Sequence, residues 1–140
     1  MKINRKEKVL FYTNFFIILP LIFSIYQKNI VMSALIGTVF IFSGLFHLFK
    51  KSGAEWWWNT KGRSREQTLF LIVEIALSTI LAFLSIFFLF KNGQPLTILL
   101  ALLIFVPSFI LYLSTNYKKY ILYHSIWHFS SSVIIFIALI

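Results

Sequence analysis

Three features of this sequence predict an all-α membrane bundle of five transmembrane spans. Of its 140 residues 59% are hydrophobic and only four are acidic, more apolar surface than a soluble domain of this size can hide. Apolar runs about twenty residues long recur along the whole chain, the length of helix that crosses the hydrocarbon core of a bilayer. The basic residues are divided unequally between the connections, as in multi-pass proteins. The spans are expected at 9–26, 30–49, 67–90, 95–114 and 119–140, and residues 1–140 form a single transmembrane domain.

The basic residues also predict the orientation. The N-terminal arm carries Lys2, Arg5, Lys6 and Lys8, the 50–66 loop carries Lys50, Lys51, Lys61, Arg63 and Arg65, and the turn before the last span carries Lys118 and Lys119. The alternate connections hold only Lys28 and Lys91. A bias of eleven to two puts the N-terminus and the 50–66 loop inside and the C-terminus outside. The net charge of +9 is accordingly read as topology and contact with anionic lipid, with no nucleic-acid partner. A basic arm before an apolar run is also the pattern of a signal peptide. This one lacks a small-residue cleavage site and four more spans follow, so it is expected to be retained. The location implied is a multi-pass integral membrane protein, in the plasma (inner) membrane if the source is bacterial. With no cysteine in the chain, disulfides and thiol chemistry are excluded.

The first span contains Asn14 and Pro20. Proline should kink it, and Asn14 is expected to hydrogen-bond across a helix interface. The second ends in GTVFIFSGLFHLFK, which places Ser43 and His47 one turn apart on one face. Gly37 and Gly44 in this span are small enough to allow close helix approach. Taken singly, Ser43 is a hydroxyl bonded to its own backbone and His47 an imidazole among lipid headgroups. The loop that follows has Trp56, Trp57 and Trp58 in a row between cations. Indole prefers the headgroup zone, so this segment should lie on the inner surface or act as a lid.

The third span holds the one deeply placed carboxylate, Glu74, about 10 Å from the inner end. A carboxylate at that depth needs a partner or a proton. Glu74, Ser78 and Ser85 make a polar stripe at helical spacing, and Glu66 is a first-turn charge. The fourth span starts at Pro95, where proline is tolerated. Pro107 in its middle should kink it, and the span offers no chemistry of its own. The fifth opens YILYHSIWHFSS. His124 and His128 are four apart, the spacing by which one helix presents two imidazoles to one metal, at depths of about 6 and 12 Å.

Alternating spans bring these residues to one face of the membrane. The second runs outward to inward, so Ser43 and His47 come late and lie near the inner side. The third and fifth run the other way, so Glu74, His124 and His128 lie near that side too, all within a slab about 12 Å deep. Intramembrane histidine is costly and is a functional signal. Three nitrogens with an open fourth position describe a zinc site that can activate water. A pair of axial haem ligands, His47 with a histidine of the last span, is the other metal chemistry the histidines admit.

The stretches SGLFH and HSIWH resemble the paired motifs of the alkaline ceramidase and adiponectin receptor superfamily. Its S-x-x-x-H and late H-x-x-x-H motifs surround a zinc ion. The resemblance implies that His47, His124 and His128 are the metal ligands and that Ser43 lies beside the zinc-bound water. The family also carries an intramembrane Asp on the helix after S-x-x-x-H. This chain contains no Asp, and Glu74 is the nearest substitute. Family members typically have seven spans, against five expected here. The implied function is a zinc-dependent hydrolase of a lipid amide or ester, ceramidase-like, with Ser43 and Glu74 as catalytic residues, Zn2+ as cofactor and a membrane lipid as substrate. The alternative is a non-enzymatic membrane protein with a structural zinc, serving an interaction, sensing or immunity role.

Overall fold

The apolar runs are helices in the computed structural model, which describes residues 5–49, 64–92, 95–113 and 119–140. The tryptophan triplet and most of the cations of the 50–66 loop lie outside the described residues, as do Lys2 and Lys118. Five helical stretches are long and apolar enough to cross a membrane, at Lys8–Tyr26, Ile30–Phe49, Arg65–Asn92, Pro95–Leu113 and Tyr120–Leu139. The chain is an all-α, multi-pass membrane protein.

The first span is not one uniform helix. It runs as α1 (Arg5–Thr13), a 3-10 turn (Asn14–Ile17) and α2 (Ile18–Tyr26). Pro20 accounts for the irregularity. It has no N–H to donate, and its ring crowds the carbonyl four residues earlier, at Phe16, within the tightened turn. α3 (Ile30–Phe49), α4 (Arg65–Asn92), α5 (Pro95–Leu113) and α6 (Tyr120–Leu139) complete the bundle. α5 stays helical through Pro107.

The start of α4 has a sharper cause than its apolar run. Ser64 and Gln67 form a capping box. The Gln67 N–H donates to Ser64 Oγ at 3.3 Å, and the Ser64 N–H donates to Gln67 Oε1 at 3.0 Å. Two donors at a helix start are thereby satisfied. Gln67 is also buried, and its Nε2 donates to the Phe49 carbonyl. That carbonyl is at the C-terminus of α3, where no intrahelical partner exists. One side chain thus caps its own helix and the end of the preceding one.

Four elements form a ring. The first span packs on α3, α3 on α4, α4 on α6, and α6 back on the first span. Among the described residues the diagonal pairs, α3 with α6 and the first span with α4, are not in direct backbone contact. α5 lies outside the ring, packed against α6 and only marginally against α4. Asn14 fixes one edge by donating from Nδ2 to the Phe40 carbonyl at 2.9 Å, the interhelical bond expected of it. Gly37 and Gly44 face this edge. An added Cβ would meet Leu21 at 3.8 Å and Phe11 at 3.5 Å, ordinary contact distances, so the approach here does not exclude a methyl group. The apolar core inside the ring includes Ile17, Met32, Ile36, Leu81 and Ile135. At the end away from the histidines, Gln27 Nε2 donates to the Leu139 carbonyl at 2.6 Å and the Ser24 and Ser33 hydroxyls pair at 2.9 Å.

Candidate metal centre

α3 and α6 stand on a diagonal of the ring, and their histidines meet across it. His47 comes from the last turn of α3; His124 and His128 come from the first turns of α6. Antiparallel neighbours bring a late residue and two early ones to one end of the bundle, and the i,i+4 spacing turns both α6 imidazoles to the same side. The rings are in contact and close to mutually perpendicular. Their centroids are 5.0 Å apart for His47 and His124, 5.4 Å for His47 and His128, and 4.6 Å for His124 and His128. One nitrogen from each lies within 4.8 Å of the others, close enough to hold a metal ion. All three residues are buried, and His47 is 0% exposed. His47 therefore sits inside the bundle.

Thr13, at the end of α1, reaches this group from the first span. Its hydroxyl donates to the Leu10 carbonyl at 3.0 Å and lies 3.0 Å from His128 Nδ1. Aromatic rings close the other sides. Tyr112 of α5 and Tyr120 of α6 meet the His124 ring edge-on, with centroids 5.4 and 5.3 Å away. Tyr112 also stacks on Trp127 at 5.0 Å. The position of α5 against α6 carries its last turn past His124, so this span, read as offering no chemistry of its own, supplies a packing contact at the site.

Ser43 is buried one turn before His47. Several buried or half-buried hydroxyls on these helices bond to their own backbone, among them Ser33, Thr68, Ser108 and Ser132. Ser43 Oγ does not, and among the described residues it has no hydrogen-bond partner. The backbone-bonded reading of Ser43 is thus not what the structure shows. Ser85 Oγ, deeper in α4, and Ser125 Oγ and Ser131 Oγ on α6 are in the same condition.

Glu74 is half-buried on α4, in a stripe with Gln67, Leu71, Ser78, Leu81 and Ser85 at spacings of three and four. It is not among the grouped ligand atoms. It interacts electrostatically with Tyr112, which touches His124. Glu66 occupies the first turn of α4.

The sequence reading omitted Thr13, Gln67, Tyr112 and Tyr120. Thr13 carried one usable signal, a polar side chain one turn into a span at the end shared by all three histidines. Among protein-family models, curated proteins and solved structures, none matches the chain.

Proposed function

We propose that this protein holds a zinc ion on His47, His124 and His128 and hydrolyses an amide or ester bond of a membrane lipid. The carrying observation is the cluster of three buried imidazoles on the axis of a membrane bundle. The donor set fits zinc. It offers three nitrogens and leaves a fourth position open. In a tetrahedral zinc site the nitrogens are about 3.4 Å apart, so side-chain adjustments of about 1 Å from the present grouping would close it. The two sequence motifs that resemble the ceramidase and adiponectin receptor superfamily support the same donor set.

Bound zinc would supply Lewis acidity toward a carbonyl and lower the pKa of water toward neutrality. The chain's own groups do the rest. Ser43, with its hydroxyl uncommitted, donates to the carbonyl oxygen as negative charge develops there. Glu74 accepts a proton from the attacking water and returns it to the leaving nitrogen or oxygen. The aromatic and aliphatic walls exclude bulk water, which strengthens both interactions. The site's shallow depth and inner-leaflet placement, the latter from the charge bias, favour a lipid over a soluble metabolite.

Complete burial of His47 also favours a second reading, a zinc clasp bracing α3 against α6. One experiment separates the two. Purified protein in mixed micelles is offered N-acyl and O-acyl lipids, and free fatty acid is measured. Hydrolysis should stop on chelation and resume with zinc. Ser43→Ala should keep the metal and lose about a hundredfold in rate, and Glu74→Gln should keep the metal and lose turnover. Silence across the panel at verified full zinc occupancy would refute the hydrolase and leave the clasp, whose removal lowers thermal stability without any lipid product.

A further inference from the structure

The first span supplies no metal ligand, yet one of its side chains touches the site. Thr13 Oγ1 lies 3.0 Å from the Leu10 carbonyl and 3.0 Å from His128 Nδ1. A hydroxyl has a single proton. The Leu10 carbonyl can only accept; it takes the Thr13 proton, and the His128 ring is itself hydrogen-bonded to the Leu10 backbone, a contact that likewise calls for a ring N–H. Toward His128 the hydroxyl oxygen is then an acceptor, and Nδ1 must carry the ring proton. A neutral imidazole has one N–H, which leaves Nε2 with its lone pair.

We propose that Thr13 is a positioning residue that holds His128 in the Nδ1–H tautomer and thereby reserves Nε2 for the metal. The inference rests on the metal-site reading above. Ligating histidines almost always donate their other N–H to an oxygen, which fixes both tautomer and ring orientation. In many sites that oxygen belongs to a carboxylate. Here it is a hydroxyl anchored to helix backbone, which does the same work without placing another charge in the membrane interior.

The local fold explains why Thr13 can reach. It is the last residue of α1, and the 3-10 turn imposed before Pro20 begins at the next position. Asn14, that next residue, binds the Phe40 carbonyl of α3. Consecutive residues therefore tie the first span to both ligand-bearing helices, Asn14 to α3 and Thr13 to α6. The clamp holds the Thr13 oxygen at a fixed place relative to His47 as well as His128.

The test uses Thr13→Val, which keeps the shape and removes the hydroxyl, and Thr13→Ser, which keeps the hydroxyl. In metal-free, histidine-labelled protein, imidazole nitrogen and carbon chemical shifts report the His128 tautomer. Wild type and Thr13→Ser should carry the proton on Nδ1, and in Thr13→Val, where only the Leu10 backbone contact remains, that preference should weaken. Zinc affinity, measured by competition with a chromogenic chelator, should fall 10- to 100-fold in Thr13→Val and recover in Thr13→Ser. A wild-type proton on Nε2 would overturn the assignment, as would a valine variant unchanged in tautomer and affinity. A Thr13→Ser variant as weak as Thr13→Val would also overturn it, since bulk and not the hydroxyl would then matter. Failure of every variant and of wild type to bind zinc, with the tautomer as stated, would refute the metal reading instead.

Discussion

Replacing Gln67 with Leu tests the arrangement that delivers His47 to the ring's centre, whatever the site does. The substitution keeps most of the volume and deletes two hydrogen bonds. One runs from Nε2 to the Phe49 carbonyl, across the α3–α4 junction. The other accepts the Ser64 N–H in the capping box. Interhelical hydrogen bonds in membranes average about 0.6 kcal/mol and reach about 1.7 kcal/mol, and loss of a helix cap costs about 1 kcal/mol. Gln67 is 2% exposed, so water cannot easily replace it at the Phe49 carbonyl, and the upper half of the range applies. The expected loss is about 2 kcal/mol, a factor of roughly 30 in the folded-to-unfolded ratio. Reversible unfolding in mixed micelles on addition of sodium dodecyl sulfate, followed by tryptophan fluorescence and far-ultraviolet circular dichroism, measures it. Gln67→Glu separates the two bonds. It retains an acceptor for the Ser64 N–H but, when ionised, opposes an oxygen to the Phe49 carbonyl, so at alkaline pH it should be destabilised at least as much as the leucine variant and should recover as the pH falls and its carboxyl gains an O–H to donate. If both variants lie within about 0.5 kcal/mol of wild type, the size of an ordinary surface change, the junction is not held in this way.

Two further outcomes are expected. His47→Ala, His124→Ala and His128→Ala should each lose most bound zinc in elemental analysis of detergent-purified protein, since a three-nitrogen site missing one donor is weak; full occupancy in any one of them would remove that histidine from the ligand set. A reporter fused after Ile140 should read as external and one inserted near Gly62 as internal, and finding both on the same side would break the alternation of five spans.

Spans are the most legible part of such a sequence, because in a bilayer length and hydropathy alone select the helix. The second span, 30–49, coincides with α3, and the other expected spans agree within two residues with the stretches apolar enough to cross a membrane. The largest difference is at α4. Counting apolar residues starts that helix at Gln67, whereas the capping box starts it at Arg65. Depth was legible too, since 1.5 Å per residue puts His47, His124 and His128 near one end. Azimuth was not. Nothing in spacing alone shows that α3 and α6 oppose each other across a ring, or that Tyr112 meets the His124 ring. Thr13 was the hardest to see. Its partner is 115 residues away, and a threonine near a span's end is ordinary until a histidine is found beside it. The place of Tyr112 beside His124 was illegible for a related reason, because it depends on the neighbour that α5 packs against.

The central position of α6 bears on how the protein is made. It is the helix that joins the first span, α4 and α5, and it emerges from the ribosome after all of them. Until it inserts, α5 is nearly without a partner, the ring lacks one corner, and two of the three imidazoles are absent from the bilayer. The contacts among the first span, α3 and α4 can form before α6 is made, whereas the fourth corner of the ring, the docking of α5 and the grouping of the three histidines all wait for it.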